Sequence, residues 1–161
     1  MATFVTQQID QAWRSGSAGI ILDIDSTRGS EDSAVAIKQA IVSRSRDLPI
    51  AAFVHDRALG PACLVAISCK TLALTPDASL GGASDGGIKA DYRSAAESTG
   101  RNPNIAAAFV SADSPLPTLG IKPTDSLTLT TKQALSVGYC DVAANDYPDV
   151  LAKMGLGTAS I

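Results

Sequence analysis

Aromatic side chains are scarce in this chain, at 4% of residues, although apolar residues make up 45%. A core of that composition has to be filled by Ala, Val, Leu and Ile, which suits buried strands covered by close-packed helices. Long apolar runs are missing too. No segment approaches the ~18 consecutive apolar residues of a membrane span, and the opening residues do not read as a signal peptide. The net charge is a mild −3, and no basic stripe interleaved with aromatics appears, so no nucleic-acid partner is expected. Cysteine is limited to Cys63, Cys69 and Cys140. Three thiols cannot close a disulfide framework, and none has a C-x-x-C or other metal-ligand spacing, so neither metal nor cofactor is expected. Cys63 and Cys69 lie in an apolar run, where a free Cys acts as a small hydrophobe.

What is present alternates. At 161 residues the chain has the size of one ordinary domain, and a single domain over 1–161 is expected. Phe4, Val5, Ile9, Ala12 and Trp13 recur at helical spacing. An α/β domain more often opens on a strand, so the chain reads as a trimmed piece of something longer. "AGIILDID" (18–25) and "LPIAAFV" (48–54) are continuous apolar runs of strand length, expected to be covered on both faces. Between them Ser30 or Asp32 caps a helix whose buried face is Ala34, Ile37, Ala40 and Ile41.

Residues 61–69 predict a short buried helix with Pro61 in its first turn, and "TLALTP" (71–76) a third strand. "SLGGASDGG" reads as a flexible loop, Ala90 to Ser98 and "NPNIAAAFV" as helices, and "SADSPLPTLGIKPTDS" as irregular. "LTLTTKQALSVGY" enters a helix through a Thr cap, "CDVA" is a late strand, and Tyr147 to Lys153 a final helix ended by Gly155. Strands alternating with helices predict an α/β architecture with a mostly parallel sheet.

The turn Leu59-Gly60-Pro61-Ala62 is the most informative stretch. It lies between a strand and a buried helix, where an enzyme places a nucleophile or an oxyanion-binding amide. Here it has no nucleophilic side chain, and Pro61 has no N–H.

The order strand, "DSTRGS", helix, strand, "RALGPACLVAIS", strand, "PDASLGGAS" resembles the ClpP/crotonase superfamily. It is most similar to the serine-protease domain of NfeD-type membrane proteins, the stomatin-operon partner proteases. That family shows a D-T-P-G-G or N-S-P-G-G-S turn where this chain has Asp25 to Ser30. Its R-A-A-S-A-G-T-Y-I-A-L-A-A-D-x-I-A-M-A-P segment lies over Arg57 to Pro76 without a gap, and a G-A-A stretch matches Gly81-Gly82-Ala83. "AAESTGRNPNIAAAFVSADSPLP" and "SLTLTTKQALSVGYCDVAANDYPDVLAKMGLG" continue the likeness over nearly the whole chain. The resemblance implies a ClpP/crotonase-like spiral of β-β-α units, here without the usual first strand. It implies a Ser-Lys endopeptidase, a homo-oligomer, and a membrane-anchored parent with this domain outside the cytoplasm.

Carried over residue by residue, the resemblance places Gly60 at the nucleophilic serine and Pro61 at the following oxyanion-donating residue. A hydrogen cannot attack a carbonyl, and proline has no donor. A crotonase-like acyl-CoA enzyme would need no serine, but its oxyanion turn also falls on Pro61. The family's lysine base falls near Ala83, with Lys89 the nearest lysine and more readily a solvated surface residue. Gly29 matches an oxyanion-turn glycine, of a kind that usually permits φ > 0.

The family implication is thus a degenerate protease domain with a residual peptide-binding or assembly role. It would bind an apolar peptide, or a membrane-protein segment, by strand addition at Gly29, Ser30, Gly81 and Gly82. The alternative is an active enzyme with a relocated nucleophile. Ser26 and Ser30 are possible substitutes, although Ser30 is better explained as an N-cap. His55-Asp56, in a loop just after a strand, and Asp23 with Asp25, on one strand face, are weaker acid–base candidates. Lys70 stands where the family often has Asp, without a physical account.

Overall fold

The computed structural model describes residues 1–82, 88–111, 116 and 126–161. Its elements run α1 (Ala2–Arg14), β1 (Ile20–Ser26), α2 (Glu31–Arg44), β2 (Ile50–Leu59), α3 (Pro61–Ser68), β3 (Thr71–Leu74) and β4 (Ser79–Gly81). Then follow α4 (Lys89–Ser98), α5 (Pro103–Val110), β5 (Thr128–Thr130), α6 (Thr131–Ser136), β6 (Val142–Ala143) and α7 (Tyr147–Lys153). The expected α/β architecture with a mostly parallel sheet is present: β1, β3 and β4 all pair with β2 in parallel, β6 pairs in parallel with β3, and β5 is antiparallel to β4.

Strand β2 is the spine of this sheet. One of its edges takes β1; the other takes β3 along Ala51–Val54 and β4 along Arg57–Leu59. Its two halves join at a break in register, where Ile24 and Ser26 of β1 face Val54 and Ala58 of β2. Two more residues are spent on β2 than on β1, which bends the strand. The expected strand 48–54 therefore runs on to Leu59, and His55 and Asp56 lie within it and not in a loop. The bend falls on the charged His55-Asp56-Arg57 stretch, where the apolar run ends and strand signal is lost.

The second difference is β4. "SLG", expected as the start of a flexible loop, is a three-residue strand held on both sides. Such a segment has too few residues for period-two alternation to show.

Even-numbered residues of β1 and β2, among them Ile24, Ala52 and Val54, face the main core with α2, α3, α4 and α5. Ala51, Phe53 and Ala73 face the other way and pack against Val150 of α7. Every strand between two covered faces must be apolar throughout, which is why the strands read as continuous runs.

Helix α1 buries Ile9 but leaves Phe4 65% exposed. Trp13 lies under the Arg44 guanidinium, 4.1 Å from its ring centre, while Arg44 also pairs with Asp10 at 2.9 Å. Caps follow the sequence signals. Ser30 accepts from the Ser33 N–H at the start of α2, settling the choice between Ser30 and Asp32. Thr130 and Gln133 form a reciprocal capping box at α6.

Among the described residues Arg101 is the buried charge, 7% exposed. Its guanidinium donates to the carbonyls of Ile67, Cys69, Lys70 and Tyr139, and to Asp141 Oδ2 at 2.8 Å. Asp141 also accepts the Leu72 N–H at 2.7 Å. A buried guanidinium is tolerable only with its donors filled and its charge matched, and here both hold. The "GRN" and "CDVA" stretches thus meet across 40 residues.

Candidate active-site turn

Strand β2 ends at Leu59, and Pro61 opens α3 with only Gly60 between them. Gly60 makes the whole turn, with φ 59° and ψ −131°. That conformation is accessible essentially to glycine alone without strain. A strained strand-to-helix turn is how a nucleophile elbow lifts its side chain out of a sheet. The backbone here has that form, and a Cβ added at Gly60 would meet no atom within 4 Å.

The turn is well anchored. Gly60 donates its N–H to Gly81 O at 2.9 Å, and its carbonyl accepts from the Cys63 N–H at 2.9 Å and the Tyr92 hydroxyl at 2.8 Å. Tyr92 is a residue that sequence reasoning missed. Its signal was a lone aromatic in a polar and Ala-rich helix, and burial pushes its hydroxyl pKa up, so it is a fixed donor.

Pro61 occupies the first position of α3, where the N–H of any other residue would be free of the helix ladder. In a nucleophile elbow this is the amide that helps to bind an oxyanion. Gly29 lies against it: a Cβ built on Gly29 would sit 3.4 Å from Pro61 Cβ, an ordinary contact. Gly29 does not have positive φ, which corrects the expectation that the glycine serves backbone freedom. Neither its space nor its φ demands glycine.

Gly81 has φ 129°, and an added Cβ would fall 2.3 Å from Leu127 O and 2.8 Å from Phe109 Cδ1. The Gly82 N–H is donated to Leu127 O at 2.7 Å. These two glycines therefore lie close against the backbone at Leu127, where β5 is already paired to β4. Ala83, at the expected lysine position, lies outside the described residues. Lys89 is exposed at the start of α4, one turn before Tyr92.

The alternative nucleophiles are engaged in turns. Ser26 Oγ donates to Arg28 O at 2.8 Å, and Ser30 Oγ caps α2. His55 is placed near Asp23, with Nδ1 3.9 Å from Oδ1, while Asp56 pairs with Arg57 at 3.3 Å. His55 and Asp23 share the α7 side of the sheet, where the His55 ring stacks edge-on to Phe53 at 4.3 Å and Tyr147 donates to Asp23. This places them on the side of the sheet opposite α3.

A Ser–Lys contact that the sequence did not suggest joins Ser94 to Lys38. Lys38 Nζ donates to Ser94 Oγ at 2.6 Å and to Asp91 Oδ1 at 2.9 Å. The same Nζ is thus shared between a carboxylate and the hydroxyl. Burial drives the thiols of Cys63, Cys69 and Cys140 upward, Cys69 to about 12, so none is an activated thiolate. Among the described residues no group of His, Cys, Asp or Glu is arranged to hold a metal ion.

The elbow, the neighbouring glycine turn and the parallel sheet behind them are the frame of a ClpP-like protease. The family profile described as NfeD1b, N-terminal domain, matches residues 1–161. The chain belongs to that family. It is 28% identical over 174 residues to "Membrane protein NfeD1b" of Bacillus subtilis (strain 168), covering 100% of this chain and 39% of that protein. It thus spans well under half of its curated relative.

Among solved structures, the 1510-N membrane protease specific for a stomatin homolog from Pyrococcus horikoshii superposes with TM-score 0.66 at 25% identity, over 95% of this chain and 72% of that one. A lysine-to-alanine mutant of the 1510-N membrane-bound stomatin-specific protease, in complex with a substrate peptide, gives TM-score 0.70 at 23% identity over 94% and 72%. ClpP1 from Listeria monocytogenes gives 0.64 at 13% identity over 90% and 84%. These likenesses establish a ClpP-like fold for the NfeD1b domain. Among the described residues no helix is long and apolar enough to cross a membrane.

Proposed function

We propose that this NfeD1b domain is a protease-fold domain whose acyl-transfer chemistry has been lost and whose remaining work is peptide binding or assembly. The observation that carries the reading is the Gly60–Pro61 pair. The turn has the backbone form of an elbow, yet nucleophile and following amide are both absent from it. Losing one oxyanion donor costs about 100-fold or more in rate even when a nucleophile remains. Here covalent catalysis has no atom to begin from.

Peptide binding does not need the serine. An extended segment can be held by backbone hydrogen bonds beside Gly29 and Ser30, and an apolar groove of about 380 Å³ reaches from these residues along β1. At Gly81 and Gly82 the backbone is already used by β5 and Leu127, so a peptide meeting both turns would have to extend the sheet beyond them. Self-association into a homo-oligomer, and attachment to a membrane-borne parent, belong to the same proposal.

The test is intact-mass analysis after treatment with a reactive fluorophosphonate, with the serine-bearing 1510-N protease as control. No mass shift, beside full labelling of the control, is expected. A stoichiometric adduct would overturn the inactive reading, and loss of that adduct in Ser94→Ala would place the nucleophile at the Lys38 contact.

A further inference from the structure

Helix α7 has seven residues, well under the ~12–15 that an isolated helix needs to be even marginal in water. Its place therefore depends on what docks it. Val150 and Met154 pack with Ala51, Phe53 and Ala73 on the back of the sheet. At the start of the helix, the Tyr147 hydroxyl donates to Asp23 Oδ2 of β1.

The second anchor contains a part that responds to protons. Asp23 gives one carboxylate oxygen to Tyr147 and turns the other, Oδ1, toward His55 of β2, whose Nδ1 lies 3.9 Å away. That separation is too long for a hydrogen bond and short enough for an ion pair once the ring is charged. The His55 ring lies edge-on to Phe53 at 4.3 Å, and the Tyr147 ring closes the group at 5.7 Å from Phe53 and 6.3 Å from His55. His55 is the chain's one histidine, the side-chain type that ordinarily changes charge between pH 5 and 8.

The other polar groups nearby are engaged elsewhere or neutral. Asp56, next on β2, pairs with Arg57 at 3.3 Å, and Asp146 accepts the Asp149 N–H at the α7 cap. Asp25 lies two residues beyond Asp23 on β1. Thr75, just after β3, is neutral and donates to the His55 carbonyl.

We infer that Asp23, His55 and Tyr147 form a proton-operated latch, which holds α7 to the back of the sheet in acid and loosens it toward neutral pH. An imidazolium attracts Oδ1 while Oδ2 keeps the Tyr147 hydroxyl, so one carboxylate then ties β1, β2 and α7 together. A neutral imidazole leaves that carboxylate to Tyr147 alone. Because the charged ring gains its partner on folding, the stabilisation is present in acid and is lost as pH rises. His55 and Asp23 are 45% and 40% exposed, so the gain is that of a surface pair. It alters how often a short helix lifts off Phe53 and leaves the fold intact. The latch lies on the side of the sheet opposite α3 and makes no use of the elbow.

The experiment is amide hydrogen exchange of the wild-type chain at about pH 5.5 and about pH 8, on either side of an ordinary histidine titration. Rates are corrected for the intrinsic pH dependence of exchange and referred to residues 66–72. Amides of residues 151–154 are expected to be about threefold better protected at the lower pH, as an exposed ion pair allows. His55→Gln should remove that difference. Tyr147→Phe should lower protection at both pH values and also remove the difference, since the His55–Asp23 pair then survives without a connection to α7.

Equal protection at both pH values in the wild type, or a difference that persists in His55→Gln, would overturn the proposal. So would a difference that persists in Tyr147→Phe, because His55 would then act on the sheet and not through α7.

Discussion

Gly60 and Gly81 are hydrogen-bonded to each other, yet they are glycine for different reasons. Around Gly60 there is open space, and only the backbone angle disfavours a side chain. Around Gly81 the angle and the neighbours both forbid one, since Leu127 O and Phe109 would be struck at once. The first glycine marks a position where a functional side chain could stand and does not. The second is a packing requirement of the sheet. A family motif that runs through both therefore mixes chemistry with construction, and only the surroundings separate them.

The comparison can be broken most forcefully at Gly81. Gly81→Ala is expected to cost about 4 kcal/mol, combining a forbidden φ with a backbone overlap that cannot relax cheaply. Urea denaturation would measure it, and a loss under ~1 kcal/mol would mean the pairing of β5 with β4 beside Gly81 is looser than described. Arg101→Met comes next, at about 3 kcal/mol, because Asp141 and four carbonyls lose their donor together.

Gly60→Ser should cost about 2 kcal/mol from the positive φ alone and should confer no fluorophosphonate labelling, since Pro61 still supplies no amide. Labelling of Gly60→Ser at the control's rate would show that the loss of the serine was the whole defect. Gly29→Ala should change stability by less than ~0.5 kcal/mol, which would separate it sharply from Gly81.

The smallest effect concerns Glu31. Burial, with the Asp91 and Asp32 carboxylates nearby, holds its carboxyl above the ordinary 4.5. The folded state then keeps a proton that the unfolded chain releases. This contribution is fully present below pH 4.5 and is lost as pH rises through the folded value. Glu31→Gln should raise the urea midpoint slightly at neutral pH, and the gain should vanish by about pH 4.

Much of this was legible before the structure. Helices α2, α3 and α5 could be read because each follows a cap or a proline start, and α4 because Gly100 closes it. The elbow was legible because Leu59-Gly60-Pro61 interrupts an otherwise apolar stretch between a strand and a helix. What escaped notice depends on distant residues. The reason Gly81 is glycine is Leu127, and the partner of Gly60 O is Tyr92, neither of which any local pattern connects to it. The apolar pattern of β2 stops at Val54 because its bulge carries the polar His55-Asp56-Arg57, and β4 has no pattern because three residues show no alternation. The family resemblance supplied the Gly60 and Pro61 assignment; physical chemistry supplied its consequence.

The Arg101 contacts give α3 two unlike ends. Its tail, at Ile67 and Cys69, is tied by one guanidinium to Lys70, Tyr139 and Asp141, while its head, at Gly60, is held by the fewer bonds to Gly81 and Tyr92 beside an open groove. Such a helix behaves as a lever hinged at the far end: amides of residues 66–72 should exchange with solvent only when the whole domain opens, and those at the elbow should exchange through smaller excursions. Whatever docks beside Gly29 would then register as slower exchange at the head of the lever, with the hinge unchanged.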